Sequence, residues 1–173
     1  MDDIVILDYD PAWPTLFAEE AARIRTALGD SADTVEHFGS TALPRLSAKP
    51  IIDLLVAVRS LPEARTRAVP ALEALGYAYW HENPAPDRLF FVKGLVPGPR
   101  THHVHVFEPD ESSLADRLLF RDRLRADPEE ARRYEGLKRR MAAAFPDDRE
   151  AYTSGKTDYI YGVMQKARTH TER

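Results

Sequence analysis

Two short runs with two-residue alternation bound what this chain can fold into. In Ile51 to Val58, the residues Ile52, Leu54, Val56 and Val58 fall on one side of an extended strand, and Ile51, Asp53, Leu55 and Ala57 on the other. In Thr101 to Phe107, Val104 and Val106 take the core side, which leaves His103 and His105 together on the opposite face. If both strands join one sheet with their apolar faces aligned, Asp53, His103 and His105 converge. Such a sheet needs helices on its apolar side.

The expected helices are legible in the same way. Leu16, Phe17, Ala21, Ile24 and Leu28 recur at helical spacing after Pro14, with Gly29 as the terminating residue. Leu61 to Leu75 reads as a helix stopped by Gly76, with Pro70 expected to kink or divide it. Ile4 to Leu7, Thr34 to Phe38, Tyr77 to His81 and Arg88 to Lys93 read as further strands. From Ser112 onward the pattern is helical. Ser112 or Ser113, Asp127-Pro128-Glu129-Glu130 and Pro146-Asp147-Asp148 supply three helix starts, and Arg168 to Arg173 is a polar, frayed tail. The prediction is one α+β domain with a mixed sheet followed by a helical C-terminal third.

The expected chemistry centres on His37-Phe38-Gly39-Ser40-Thr41-Ala42-Leu43-Pro44 and on Lys49-Pro50-Ile51-Ile52-Asp53. Glycine after a strand lets backbone approach a ligand, and Ser40 with the following turn can present N–H and hydroxyl groups to an anion. The alternative is a capped turn with no ligand. An aspartate in so apolar a strand is costly unless it is paired or binds a cation; pairing with Lys49 or an arginine is the bland reading. Neutral imidazoles bind transition metals and imidazolium stabilises negative charge, so His103 and His105 are candidates for either role. The alternative for them is a half-solvated sheet face. His102 points with the valines, and His37, His81 and His170 have no evident partners. Arg45, Lys49, Arg88, Lys93 and Arg100 are the basic residues placed to meet phosphate.

Composition limits the function classes. With 173 residues and a net charge of −4, the chain is unsuited to broad nucleic-acid binding, which rests on phosphate neutralisation by Lys and Arg. No cysteine is present, and no apolar run approaches the roughly 20 residues of a membrane span. The acidic opening Met1-Asp2-Asp3 is unlike a secretory signal, so the cytoplasm is the expected compartment.

Three tempting motifs fail. Ser154-Gly155-Lys156-Thr157 ends like a P-loop, but position 150 is Glu150 and the region reads as helix. His103-x-His105 with Glu108 has the wrong spacing for a cupin. Ser40 lacks the Gly-x-Ser-x-Gly elbow of a hydrolase.

Longer stretches carry a family resemblance: Tyr9-Asp10-Pro11-Ala12-Trp13-Pro14, Glu36 to Pro44, Ala48 to Asp53, Arg100-Thr101-His102-His103-Val104-His105-Val106, Leu119-Phe120-Arg121-Asp122, Ala151-Tyr152-Thr153 and Lys156-Thr157. Together they resemble the GrpB-like family, a branch of the nucleotidyltransferase superfamily with the polymerase-β-type fold. The resemblance implies a single domain of that fold over residues 1–168, with a polar tail at 169–173. It also implies nucleotidyl transfer from a nucleoside triphosphate, with Gly39 and Ser40 holding the triphosphate and acids on the adjacent strands holding two magnesium ions; by their own chemistry Thr41 is expected to join the phosphate contacts and Lys49 to neutralise charge. Here the pattern departs: the second acid position is Leu55, and the later strand offers His103 and His105. Asp53, His103 and His105 are therefore the expected catalytic and metal-ligating set. The metal would be Mg or Mn, or Zn or another transition metal if the imidazoles ligate it. Some relatives are fused to dephospho-CoA kinase, so the rival expectation is a non-catalytic accessory module linked to coenzyme A synthesis.

Overall fold

The computed structural model describes residues 4–81, 87–94, 98–109 and 112–171. Its centre is a five-stranded mixed sheet. The strands are β1 (Thr34–Phe38), β2 (Ile52–Ala57), β3 (Tyr77–Tyr79), β4 (Arg88–Lys93) and β5 (His102–Phe107), in the spatial order β1-β2-β5-β4-β3. Only β2 and β5 run parallel; the other neighbours are antiparallel.

Helix α1 (Trp13–Leu28) and helix α2 (Leu61–Ala74) cover one side. Ile52, Leu54, Val56, Val104 and Val106 pack there with Trp13, Ile24, Leu72 and Phe91. Full burial of each such side chain contributes about 1.5–3 kcal/mol, which makes this layer the main stabilising unit. Leu16 does not join the stripe; it is 41% exposed. Ser60 caps α2 by accepting from the Glu63 amide, and Pro70 sits on the exposed side while the helix continues past it. The expected division at Pro70 does not occur.

The other side of the sheet meets the C-terminal third: α3 (Ser112–Ala126), α4 (Pro128–Ala144), α5 (Arg149–Ser154) and α6 (Thr157–Thr171). Asp127 caps α4 through the Glu129 and Glu130 amides, and Asp148 caps α5 through the Ala151 amide. The α+β architecture with a helical last third is as expected.

Three expectations need correction. Ile4 to Leu7 is no strand, since Leu7 forms one isolated bridge with Ala48 while Val5 and Leu7 stay exposed. The single last helix expected after Asp148 is two helices. A Cβ at Gly155 would lie 2.6 Å from Met141 Sδ, so the chain turns against α4 at the one residue small enough to fit. The fraying expected from Arg168 does not begin there, since α6 runs to Thr171 and packs through Ala167 and an Arg168–Asp116 ion pair; residues 172–173 lie outside the described residues.

Candidate functional site

Strand register builds the site. The parallel pairing sets Asp53 beside His103 and Leu55 beside His105, while β4 sets Phe90 opposite His105. Asp53 Oδ1 lies 3.1 Å from His103 Nδ1. The carboxylate accepts there, so Nδ1 carries a proton and donates. His103 Nε2 and His105 Nδ1 are both buried without a hydrogen-bond partner. Burial, reinforced by His103, Arg117 and Arg88, holds the His105 pKa well below the ordinary imidazole value, so the ring is neutral at pH 7. One ligand atom from each of Asp53, His103 and His105 lies within 4.8 Å of the other two. Phe90 contacts both imidazoles at ring-centroid distances of 5.2 and 4.6 Å.

Gly39 closes β1 with φ +70° and ψ −171°, a region open essentially to glycine alone. A Cβ there would lie 2.3 Å from Asp53 Oδ2. The small residue therefore makes room for the aspartate as well as for the cavity. Thr41 is buried, and its hydroxyl is engaged within the fold: it donates to the Ile51 carbonyl at 3.2 Å and meets His37 Nε2 at 3.1 Å. Two arginines of α3 fix both ends of this turn. Arg121 donates to the His37 carbonyl at 2.9 Å and to Glu36 at 2.8 Å, and Arg125 donates to the Ala42 carbonyl at 3.0 Å.

Between this turn, the sheet and α3–α6 lies a cavity of about 560 Å³. Six basic side chains line it, namely Lys49, Arg100, Arg117, Arg121, Arg149 and Lys156, against the two carboxylates Asp53 and Asp116. Lys49 and Lys156 both reach the buried Tyr152 ring, their Nζ atoms 4.6 and 4.0 Å from its centroid. Among the described residues no carboxylate lies within 4 Å of either ammonium. Burial brings both lysines down to about 8, although the more distant Asp53 opposes the shift. Arg117 lies over the Phe107 ring at 5.3 Å.

Of the basic residues expected from sequence, Lys49 and Arg100 line the cavity. Lys93 instead pairs with buried Glu20 at 2.8 Å on the far side of the sheet, and Arg88 pairs with Asp87 at 3.6 Å. Arg45 is exposed in the connecting loop. His37 and His81, which lacked evident partners, stack on Phe17 and meet Tyr79 edge-on. Arg117, Arg121, Arg149, Tyr152 and Lys156 are the cavity residues that strand reading missed. Lys156 stood in the discarded P-loop fragment, and its neighbours Tyr152 and Thr153 were legible only as parts of the family-like stretches.

The donor set does not suit two magnesium ions. Leu55, where the resemblance leads one to expect a second acid, is buried with Phe38, Phe107, Leu114 and Leu118. One carboxylate beside two imidazoles, two of whose nitrogens lack partners, is a donor set of the kind that transition metals accept.

The GrpB protein family model matches residues 3–166, almost the whole described fold. The chain belongs to the GrpB family. It is 49% identical over 169 residues to a UPF0157 protein of Pseudomonas aeruginosa, covering 96% of this chain and 68% of that protein. The crystal structure of GrpB from Enterococcus faecalis superposes with a TM-score of 0.88 at 35% identity, covering 98% of this chain and all of that one. A dephospho-CoA kinase of Mycolicibacterium paratuberculosis is 30% identical over 182 residues, covering 91% of this chain but 44% of the kinase. Among the described residues no helix is long and apolar enough to cross a membrane.

Proposed function

We propose that this GrpB-family protein binds a phosphate-bearing ligand, a nucleotide or similar phosphoester, in the cavity under α3–α6, and acts on it as a nucleotidyl or phosphoryl transferase. The observation that carries the reading is the pair of ammoniums at Tyr152. Two half-buried cations without a carboxylate within 4 Å carry a desolvation cost that an anion in the cavity would offset. The excess of basic over acidic lining residues has the same sign, although the whole chain is net acidic. Lys49 and Lys156 take the phosphate charge, and Gly39, Ser40 and Thr41 form the wall against which it rests. Asp53, His103 and His105 would form the metal-holding end of the cavity beside it. A bound divalent ion supplies Lewis-acid polarisation of a phosphoryl oxygen.

Thermal-shift and calorimetric titrations with ATP, coenzyme A precursors, phosphosugars and tripolyphosphate, with and without Mg, Mn and Zn, test the reading. Stabilisation by a phosphorylated ligand that Lys156→Met removes supports it. Absence of any response across the panel refutes it. A second reading, an accessory module without turnover that acts in coenzyme A synthesis, draws support from the dephospho-CoA kinase relative. It requires that a coenzyme A precursor binds, that no product forms, and that Asp53→Ala leaves binding unchanged.

A further inference from the structure

We propose that His103 Nε2 and His105 Nδ1 are the protein ligands of a single transition-metal ion, and that Asp53 is the positioning residue of His103 rather than a ligand itself. The inference deepens the proposed function and rests on it in one respect: phosphate oxygens of the cavity ligand complete the coordination that two protein nitrogens leave open.

Two observations separate the role of Asp53 from that of the histidines, and a third selects the metal. The first concerns what Asp53 already touches. Its Oδ1 is 3.1 Å from His103 Nδ1, while Oδ2 fills the space where a side chain at position 39 would begin. Oδ1 is thus engaged by His103, and Oδ2 lies against Gly39. The second concerns what the imidazoles lack. His103 Nε2 and His105 Nδ1 are buried polar atoms without partners, and both residues line the cavity. Buried polar groups in folded proteins are almost always satisfied, so two orphans on adjacent residues of one sheet face are a departure that a shared ion would remove. With Nδ1–H donated to Asp53, Nε2 is the ring nitrogen left to ligate, on the side away from the carboxylate. A carboxylate that orients and polarises a ligating histidine through its other nitrogen is a recurrent outer-shell arrangement.

The third observation selects the metal. The imidazoles are walled by Phe38, Phe90 and Phe107, and Leu55 stands beside His105 in the register. Magnesium prefers oxygen ligands and keeps several waters, which this apolar, nitrogen-bearing wall cannot supply. Zinc, cobalt and nickel accept imidazole nitrogen readily. The ion expected from nucleotidyltransferase resemblance is therefore replaced by one of a different chemical class.

The test uses the full chain and titrates Zn(II), Co(II) and Mg(II) separately by calorimetry, without phosphate. Metal content is counted by elemental analysis, and the absorption spectrum of the Co(II) form is recorded. The expected result is one ion per chain, Zn(II) or Co(II) bound at least 100-fold more tightly than Mg(II), and visible Co(II) bands showing nitrogen ligation. His103→Gln and His105→Gln should each abolish binding. Asp53→Asn should retain the site and its Co(II) spectrum with affinity reduced by about 10–100-fold, the range for loss of an outer-shell partner. Tight binding of Mg(II), two ions per chain, no metal binding, or loss of the site in Asp53→Asn equal to that in His103→Gln would each overturn the assignment. Circular dichroism of every variant identifies misfolding, and the wild-type metal selectivity remains decisive if a histidine variant fails to fold. A parallel titration of the metal-free protein with tripolyphosphate keeps the two proposals apart. Phosphate binding without metal binding leaves the cavity reading standing and ends this one; metal binding without phosphate binding does the reverse.

Discussion

Replacing Gly39 by alanine tests how tightly the turn and the aspartate are coupled. Two costs arise. The backbone at φ +70° and ψ −171° is a glycine conformation, and holding alanine there costs about 1–3 kcal/mol. The new Cβ would also meet Asp53 Oδ2 at 2.3 Å and Asp53 Cγ at 3.0 Å, and such overpacking costs about 1–3 kcal/mol. Together they predict a loss of about 2–6 kcal/mol, against a total stability of about 5–15 kcal/mol for a domain. In urea this lowers the unfolding midpoint by roughly 1–3 M, for a slope near 2 kcal/mol per molar. The two causes separate in a double-mutant cycle. In an Asp53→Ala background the carboxylate is gone, so Gly39→Ala should cost about 1–2 kcal/mol less than in the parent, while the backbone cost persists. Equal cost in both backgrounds would show that Asp53 does not press on Gly39. A single-mutant effect below about 0.5 kcal/mol would refute the backbone argument as well.

Further outcomes follow from the charged groups. Folding lowers Lys49 and Lys156 from 10.5 to about 8, so between those pH values the unfolded chain binds more protons and the stability of the ligand-free protein rises with pH. Lys156→Met should flatten that rise in urea midpoints taken from pH 7.5 to 10.5. Affinity for tripolyphosphate has the opposite slope, because an anion favours the charged lysines; calorimetry should show it weakening above pH 8, and a flat profile would count against the ammonium clamp. His37 is held neutral by burial, its pKa lowered from 6.5 to about 4, so stability falls as the pH drops through that window, by on the order of 3 kcal/mol when complete. His37→Gln should shrink the acid-induced loss measured by circular dichroism. Arg121→Met removes the donors that hold Glu36 and the His37 carbonyl, and should cost about 1–3 kcal/mol in chemical denaturation. An unchanged midpoint would show that α3 does not brace the turn.

The part of the site carried by strands was legible because side chains alternate with a period of two, and one face of each strand is strongly apolar. Once Val104 and Val106 are assigned to the core, His103 and His105 have nowhere else to point, and β2–β5 pairing brings Asp53 beside them. The part carried by helices was not legible by the same route. Lys156, Tyr152 and Arg149 lie around the short α5 and the break that follows it, and nothing in a local period says that this corner folds back over the sheet. The cue was Gly155, which read as part of a failed phosphate loop. Gly155 follows α5 where the chain passes close to Met141 Sδ, and Lys156 beyond it lines the cavity. The short strand expected at Ile4 to Leu7 failed for the converse reason, since a short apolar run without a neighbouring strand forms only the single bridge to Ala48.

These placements give the cavity two chemically distinct ends. The sheet side presents imidazoles braced by one carboxylate, while the α5–α6 corner presents ammoniums braced by an aromatic ring. Asp53 faces both: it bonds His103 directly and acts on Lys49 and Lys156 through longer-range attraction. Removing its charge should therefore move both ends in opposite directions. Asp53→Asn weakens the orientation of His103 and so the metal, yet it removes the negative charge that competes with a bound anion for the two lysines. Tripolyphosphate affinity of the metal-free protein should rise in Asp53→Asn while Zn(II) affinity falls. Calorimetry on one variant measures both. If the two affinities fall together, the carboxylate is holding the whole cavity in shape and the two ends are not electrostatically independent.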